Sequence, residues 1–317
     1  MKFLKTRDLF PLLVISLIKM ANSFSSPLPK AFLVQRVASL AYCLSRDKRR
    51  LTERYLSEVF AGDLGEEERR NLVRSIFREF WRDKFSLEPS PSEKTAIQKA
   101  PIEGIGYLTH ALEQGRGVIL WESNSMGLRA VSKQILHERG FPIHQVYSDL
   151  HFQLFLNNGP EISWVQQHLV RGILEKFDRE FVAEIIYLPS SNSLAFVRIL
   201  LDRLKRNAIL CVPGDGSEGQ RQVPVKFFGH TKLFPTGMVS LAKRSGATLL
   251  PLLCIMGENG GLRLVIGRPI DIQGDREQGF ENSVFQYVRL LESYIRRYPK
   301  NYKKWHLLAR GSESEIV

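Results

Sequence analysis

Between residues 117 and 266, short uninterrupted apolar runs alternate with stretches whose apolar residues recur at helical spacing, and this alternation decides the fold class. Gly117-Val-Ile-Leu-Trp121 and Ala208-Ile-Leu-Cys-Val212 are too short for helices and carry no charged residue, the pattern of strands buried on both faces. Phe141 to Tyr147 is strand-like, and Ala247 to Met256 pairs with Leu262 to Ile266 through the turn GENGG (257–261). Helices fall between them. Tyr107 to Gln114 ends at Gly115, a stripe of Leu128, Val131, Ile135 and Leu136 closes at Gly140, and Ser193 to Arg206 follows. Thr236 to Arg244 stops at Gly246, and a last helix runs from about Glu277 to Arg297. Strands separated by helices predict an α/β fold with a mostly parallel, helix-covered sheet.

Upstream of residue 87 the chain reads as helical. Residues 66–84 place Leu72, Ile76, Phe77, Phe80 and Trp81 on one face, with Glu66, Glu67 and Glu68 in the first turn, where they favour the helix dipole. The Pro- and Ser-rich stretch LEPSPSEK (87–94) marks a boundary. The expected division is a helical, membrane-proximal region over 1–95, an α/β domain over 96–310 and a disordered tail over 311–317. The apolar run Leu9 to Ile18, flanked by Lys2, Lys5, Arg7 and Lys19, is shorter than the roughly 20 apolar residues of a spanning helix. A signal peptide is an alternative for this run, but KMANSFSS after it offers no convincing small-x-small cleavage site. An interfacial anchor and an ordinary buried helix both remain open for this segment.

The 317 residues carry 45 Lys and Arg against 33 Asp and Glu, a formal charge of +12 that implies an anionic partner. A second basic cluster, Arg46, Lys48, Arg49, Arg50 and Arg54, follows the apolar stretch Phe32 to Leu44. Basic residues beside apolar helices favour an anionic membrane surface, and no nucleic acid is expected because no aromatic-interleaved basic patch occurs. Cys43, Cys211 and Cys254 form no CxxC pair, which fits a reducing compartment.

In such a sheet, ligands bind at the carboxyl ends of the strands. Two loops stand there: Glu122-Ser-Asn-Ser-Met-Gly127 after the first buried strand, and Pro213-Gly-Asp-Gly-Ser-Glu-Gly219 after the second. A literal His-x4-Asp pair, His144 and Asp149, spans a strand and its end, where residues five apart face opposite sides, so it reads as a strand histidine and a solvated aspartate. His151 stands just beyond, and His110, His137 and His168 have no acidic partner at useful spacing. No GxSxG elbow, zinc motif or P-loop is present, so no metal or cofactor is expected.

From about residue 100 to 308 the chain resembles the lauroyl/myristoyl acyltransferases of lipid A biosynthesis, within the wider glycerophospholipid acyltransferase superfamily. The likeness rests on GRGVIL (115–120), the Pro213/Asp215 loop, VPVKFFGHTKLFPTG (223–237), LAKRSGATLLPL (241–252), LVIGRPI (264–270) and LLESYIRRYPKNYKKWH (290–306). The resemblance implies a membrane-associated enzyme that moves an acyl chain from acyl-ACP or acyl-CoA onto a lipid acceptor. It also implies a histidine, four intervening residues and an Asp or Glu directly after the first strand, the histidine deprotonating the acceptor hydroxyl. Here those positions hold Asn124 and Arg129, and neither is a base.

Glu122 becomes the expected general base beside Asn124 and Asp215, provided burial raises its pKa toward neutrality. Ser123, Ser125, Arg129, Gly214, Arg221, Lys226 and Phe227 are the expected substrate-binding positions. Arg221 and Lys226 would meet acceptor phosphates or a carrier protein's acidic face, and Phe227, Phe228 and Phe234 would line the core or an acyl groove. The expected location is the cytoplasmic side of the inner membrane, peripheral or monotopic. The alternative is a catalytically inactive relative that binds lipid or acyl carrier protein.

Overall fold

The two shortest apolar runs lie side by side at the centre of the sheet. The computed structural model describes residues 6–22, 27–148, 171–188, 194–215, 221–272 and 277–308. Its strands are β1 (Ile102–Glu103), β2 (Val118–Glu122), β3 (Ile143–Ser148), β4 (Glu184–Leu188), β5 (Ile209–Pro213), β6 (Gln222–Phe227), β7 (His230–Pro235), β8 (Thr248–Met256) and β9 (Leu262–Ile266). Among the described residues the main sheet has the order β1-β9-β8-β2-β5-β3-β4. Every pairing is parallel except that of β8 with β9, the hairpin closed by GENGG.

The helices are α1 (Thr6–Asn22), α2 (Pro27–Leu44), α3 (Arg46–Val59), α4 (Glu66–Phe85), α5 (Pro91–Lys99), α6 (Ile105–Glu113), α7 (Arg129–Glu138), α8 (Arg171–Arg179), α9 (Leu194–Lys205), α10 (Gly237–Ser245) and α11 (Glu277–Arg297). The two-residue period of a strand sends β2 side chains into two cores. Ile119 and Trp121 join Leu210, Val212, Leu249 and Leu253, covered by α9, α10 and α11. Val118 and Leu120 join Ile209, Cys211, Leu250 and Leu252, covered by α6 and α7. The first core continues into Tyr55, Leu56, Val73, Ile76 and Phe77, so α3 and α4 share it with the sheet.

Several expectations shift in detail. In α4 the buried stripe is Val73, Ile76, Phe77, Trp81 and Phe85, while Leu72 and Phe80 are half-buried. LEPSPSEK is no loose spacer. Ser90 and Pro91 open α5, Glu93 accepts from the Ser90 backbone N–H at 2.7 Å, and the same Oε2 takes buried Lys30 of α2 at 2.5 Å. The sequence pattern does not announce β1, β4, α5, α8 or the β6–β7 hairpin that stands outside the main sheet. Its turn residues Phe228 and Gly229 have φ of 49° and 82°, the left-handed pair of a two-residue hairpin. The expected tail, 311–317, lies outside the described residues.

No helix among the described residues is long and apolar enough to cross a membrane. The outward face of α2 is nonetheless greasy: Leu28, Phe32, Leu40 and Leu44 are exposed on one stripe, with the Arg36 guanidinium 4.7 Å over the Phe32 ring. Leu13 and Met20 of α1 are exposed as well.

One side chain ties the helical layer to the sheet. Lys303, 6% exposed, donates to Asp83 of α4 at 2.7 Å and to the Gly127 carbonyl at 2.8 Å. Removing one partner of a buried ion pair costs about 3–5 kcal/mol. Lys303→Met should therefore lower the unfolding free energy by about that amount in urea denaturation, and an unchanged midpoint would contradict the tie.

Candidate active site

The connections leaving β2 and β5 run in opposite directions along the sheet. The chain passes from β2 to β3, beyond β5, and from β5 through the β6–β7 hairpin and α10 to β8, beyond β2. A crevice at the carboxyl ends of two such strands is where an open α/β sheet binds its ligand. The register Glu122↔Pro213 brings the two strand ends level, so the loop 123–128 faces Gly214 and Asp215.

Asp215 organises that loop. Its Oδ2 accepts from the Ser123 hydroxyl at 2.5 Å and the Ser125 N–H at 3.1 Å, and its Oδ1 accepts from the Asn124 N–H at 2.6 Å. The Ser123 hydroxyl oxygen in turn accepts from the Met126 N–H at 2.9 Å. Burial pushes the Asp215 carboxyl up, but the nearby Lys304 ammonium and the hydrogen bonds from Ser123 and Asn124 outweigh it and hold the group below the usual carboxylate range. Gly214 lies against the Trp121 indole, and a Cβ there would sit 1.4 Å from Nε1. The indole stacks on Tyr287 of α11 at 4.2 Å between centroids.

Glu122 alternates to the opposite face from Trp121 and meets α7 there. Its Oε1 accepts from Arg129 Nη2 at 2.6 Å and from Gln145 Nε2 at 2.8 Å. The condition set on Glu122 as a base is reversed. Burial does push it up, but the charge and hydrogen bond of Arg129 prevail, with Lys133 and Gln145 adding to them, and the carboxyl lies below its ordinary value. Arg129 is correspondingly locked in its charged form. Arg129 also lies over Tyr147, whose hydroxyl donates to Asp178, and Lys133 pairs with the same Asp178 at 2.8 Å.

Polar atoms without partners gather at this end of the sheet. Among the described residues, Glu122 Oε2, Asn124 Oδ1, Gln145 Oε1, the Trp121 indole N–H and the Tyr287 hydroxyl are buried and make no hydrogen bond. Each such atom costs about 1–3 kcal/mol when left unsatisfied; Glu122 and Gln145 lie on the α7 face of the sheet and Trp121 and Tyr287 on the α11 face.

The structure brings together Glu122, Ser123, Asn124, Ser125, Arg129, Gly214 and Asp215. Arg221 and Lys226 are exposed and make no bond to this group. Phe227 is 1% exposed in an aromatic cluster with Phe228, Phe234 and Tyr302, so it belongs to the core rather than to a groove. His144 takes Glu184 of β4 at 2.8 Å, a partner that spacing along the chain could not reveal. Asp149, His151, His168 and residues 216–220 lie outside the described residues.

Sequence reasoning missed the segment that closes the loop. The Lys303 N–H donates to the Ser125 carbonyl at 2.7 Å, the Gly127 N–H donates to the Asn301 carbonyl at 2.9 Å, and Met126 bridges Tyr302. It also missed Lys304 of the same segment, whose charge helps to hold the Asp215 carboxyl down. No group of three His, Cys, Asp or Glu is placed to hold a metal ion among the described residues.

A family model for bacterial lipid A biosynthesis acyltransferases matches residues 2–310. Two curated relatives are phosphatidylinositol mannoside acyltransferases of Mycobacterium tuberculosis, strains CDC 1551 / Oshkosh and ATCC 25618 / H37Rv. Each is 24% identical over 179 residues, 55% of this chain and 50% of the relative. The chain thus spans about half the length of the curated relatives it matches.

The Glu122–Arg129 pair can be tested by pH. Glu122 has a folded value below its ordinary 4.5, so its stabilisation is complete above 4.5 and fades as pH falls through the folded value. Arg129→Met strands a buried carboxylate and should cost about 3–5 kcal/mol at neutral pH. The deficit, read by denaturant titration, should shrink as pH is lowered below 4.5; a pH-independent deficit would show the pair to be unimportant.

Proposed function

The chain belongs to the bacterial lipid A biosynthesis acyltransferase family, and from that premise we propose that it moves a fatty acyl chain from acyl-ACP or acyl-CoA onto a lipid or glycolipid acceptor. The observation that carries this reading is the convergence of Ser123, Asn124 and Ser125 on Asp215, where the connections of β2 and β5 diverge. Asp215 fixes the loop, Asn124 stands where the family keeps its histidine, and Glu122 neutralises Arg129. Much of the rate in such a site comes from holding thioester and hydroxyl in register. The names of the mycobacterial relatives, which specify a mannosylated phosphatidylinositol, support a glycolipid acceptor.

The proposed location is the cytoplasmic face of the inner membrane, with α1 and α2 against an anionic lipid surface. Exposed Leu28, Phe32, Leu40 and Leu44 support this, as do exposed Arg46 and Arg50 at the start of α3.

Incubation of the protein with labelled acyl-ACP or acyl-CoA and a membrane lipid extract should yield labelled lipid. Asp215→Asn should lower that yield about 100-fold or more, the scale for loss of a preorganised polar group. No labelled lipid from either donor, with acyl-chain binding retained, would replace the enzyme reading by the inactive relative.

Membrane docking is tested by vesicle co-sedimentation. Binding should be stronger to vesicles containing anionic lipid, weaken with salt, and fall in Phe32→Glu and Leu40→Glu. Equal binding to neutral vesicles at all salt concentrations would remove the electrostatic part of the proposal.

A further inference from the structure

Where α3 meets α4, cations gather on aromatic rings rather than on carboxylates. Lys48, in the first turn of α3, holds its Nζ 4.2 Å from the centre of the Phe80 ring and 5.4 Å from that of Phe77. Lys84, in the last turn of α4, reaches the same Phe80 ring at 5.4 Å. Beside them, the Arg49 and Arg74 guanidiniums lie 5.0 and 5.6 Å from the centre of the Tyr42 ring, which meets Phe77 edge-on. Lys48, Lys84 and Phe80 are all half-buried.

The acids of α4 are engaged elsewhere. Past its first turn, Glu79 pairs with Arg82 at 3.0 Å, and Asp83 takes Lys303 at 2.7 Å. The Lys48 ammonium makes no hydrogen bond or ion pair with any described residue. A ring face attracts an ammonium less strongly than a carboxylate does, so two half-buried ammoniums on one ring leave their charge undercompensated. Burial accordingly lowers Lys48 to about 8, and lowers Lys84 to about 7 against the pull of Asp83. A tetrahedral phosphate, with several oxygens to share among donors from two helices, supplies what the pair lacks.

The surroundings indicate where such a phosphate comes from. Leu40 and Leu44 end the exposed apolar stripe of α2, and Ser45 alone separates α2 from α3. On the other side, Asp83, next to Lys84, shares the Lys303 ammonium with the Gly127 carbonyl. A lipid whose chains cover the α2 stripe thus brings its headgroup to Lys48 and Lys84, one ion pair from the loop that Asp215 organises.

We propose, resting on the membrane-docked acyltransferase reading above, that Lys48 and Lys84, gathered on the Phe80 ring, form a binding site for the phosphate of a lipid headgroup. The site is distinct from the diffuse attraction of exposed Arg46 and Arg50, because it selects phosphate over other anions of equal charge.

The test compares two sets of phosphatidylcholine vesicles matched in surface charge, one containing phosphatidic acid and the other oleate. Wild type should bind the phosphatidic acid set more tightly. That set should also shield Lys48 and Lys84 from acetylation by acetic anhydride, read by peptide mass spectrometry, while exposed Lys205 and Lys226 react as before. Lys48→Gln and Lys84→Gln should each weaken binding to phosphatidic acid about tenfold, the scale of one charge-assisted hydrogen bond, and leave binding to oleate vesicles unchanged. Arg46→Gln should weaken both sets alike. Equal wild-type binding to the two sets, or shielding of the pair no greater than that of Lys205 and Lys226, overturns the proposal. Should a variant fail to fold, the wild-type shielding decides alone. Inorganic phosphate that shields the pair as well as vesicles do, at equal phosphate concentration, overturns the lipid assignment in favour of a free anion. Shielding without acyl transfer from either donor removes the acyltransferase reading and keeps the site, whereas transfer without shielding removes the site alone.

Discussion

A half-buried carboxylate that stays ionised must be surrounded by donors, and Asp215 obtains them from the loop it faces. Two backbone N–H groups and the Ser123 hydroxyl converge on it, so the conformation of residues 123–126 is dictated by one side chain from a neighbouring strand. The geometry follows from the sheet, since β2 and β5 end level and their chains depart in opposite directions. Gly214 completes the arrangement by letting the backbone lie against Trp121 immediately before Asp215.

The second charge arrangement is an inversion. Where the resemblance implies a carboxylate, this chain holds Arg129, and Glu122 on the preceding strand compensates at 2.6 Å. The pair is nearly dry, with side-chain exposures of 11% and 3%, so neither member is free to change alone. Arg129 also couples this end of the sheet to the buried Tyr147, Lys133 and Asp178 set. The departure from the family pattern is therefore a self-consistent electrostatic framework rather than a pair of isolated losses.

The parts of this fold that could be read from the chain are those governed by local pattern. Buried runs such as GVILW and AILCV can only be central strands, and their ends locate the two loops without further information. The direction of the Glu122 shift was not legible, because it depends on Arg129 arriving from the first turn of α7 and Gln145 from β3. His144 was weighed against Asp149 because both are near in sequence, whereas its partner Glu184 comes from an adjacent strand. The β6–β7 hairpin is marked in the chain by its alternation and its Phe228-Gly229 turn, whereas its place outside the main sheet depends on contacts distant in sequence.

The stitching of the loop by residues 301–303 has a temporal side. The Lys303 side chain reaches the Gly127 carbonyl across a separation of 176 residues. At synthesis rates of about 5–20 residues per second, that distance is a delay of roughly 10–35 s between emergence of the loop and emergence of the segment that closes it. During that interval β5 and then β8 emerge to pair with β2, and the loop after it still lacks the segment that fixes its carbonyls. The loop is therefore stitched only after every strand of the main sheet, ending with β9 at Ile266, has been made.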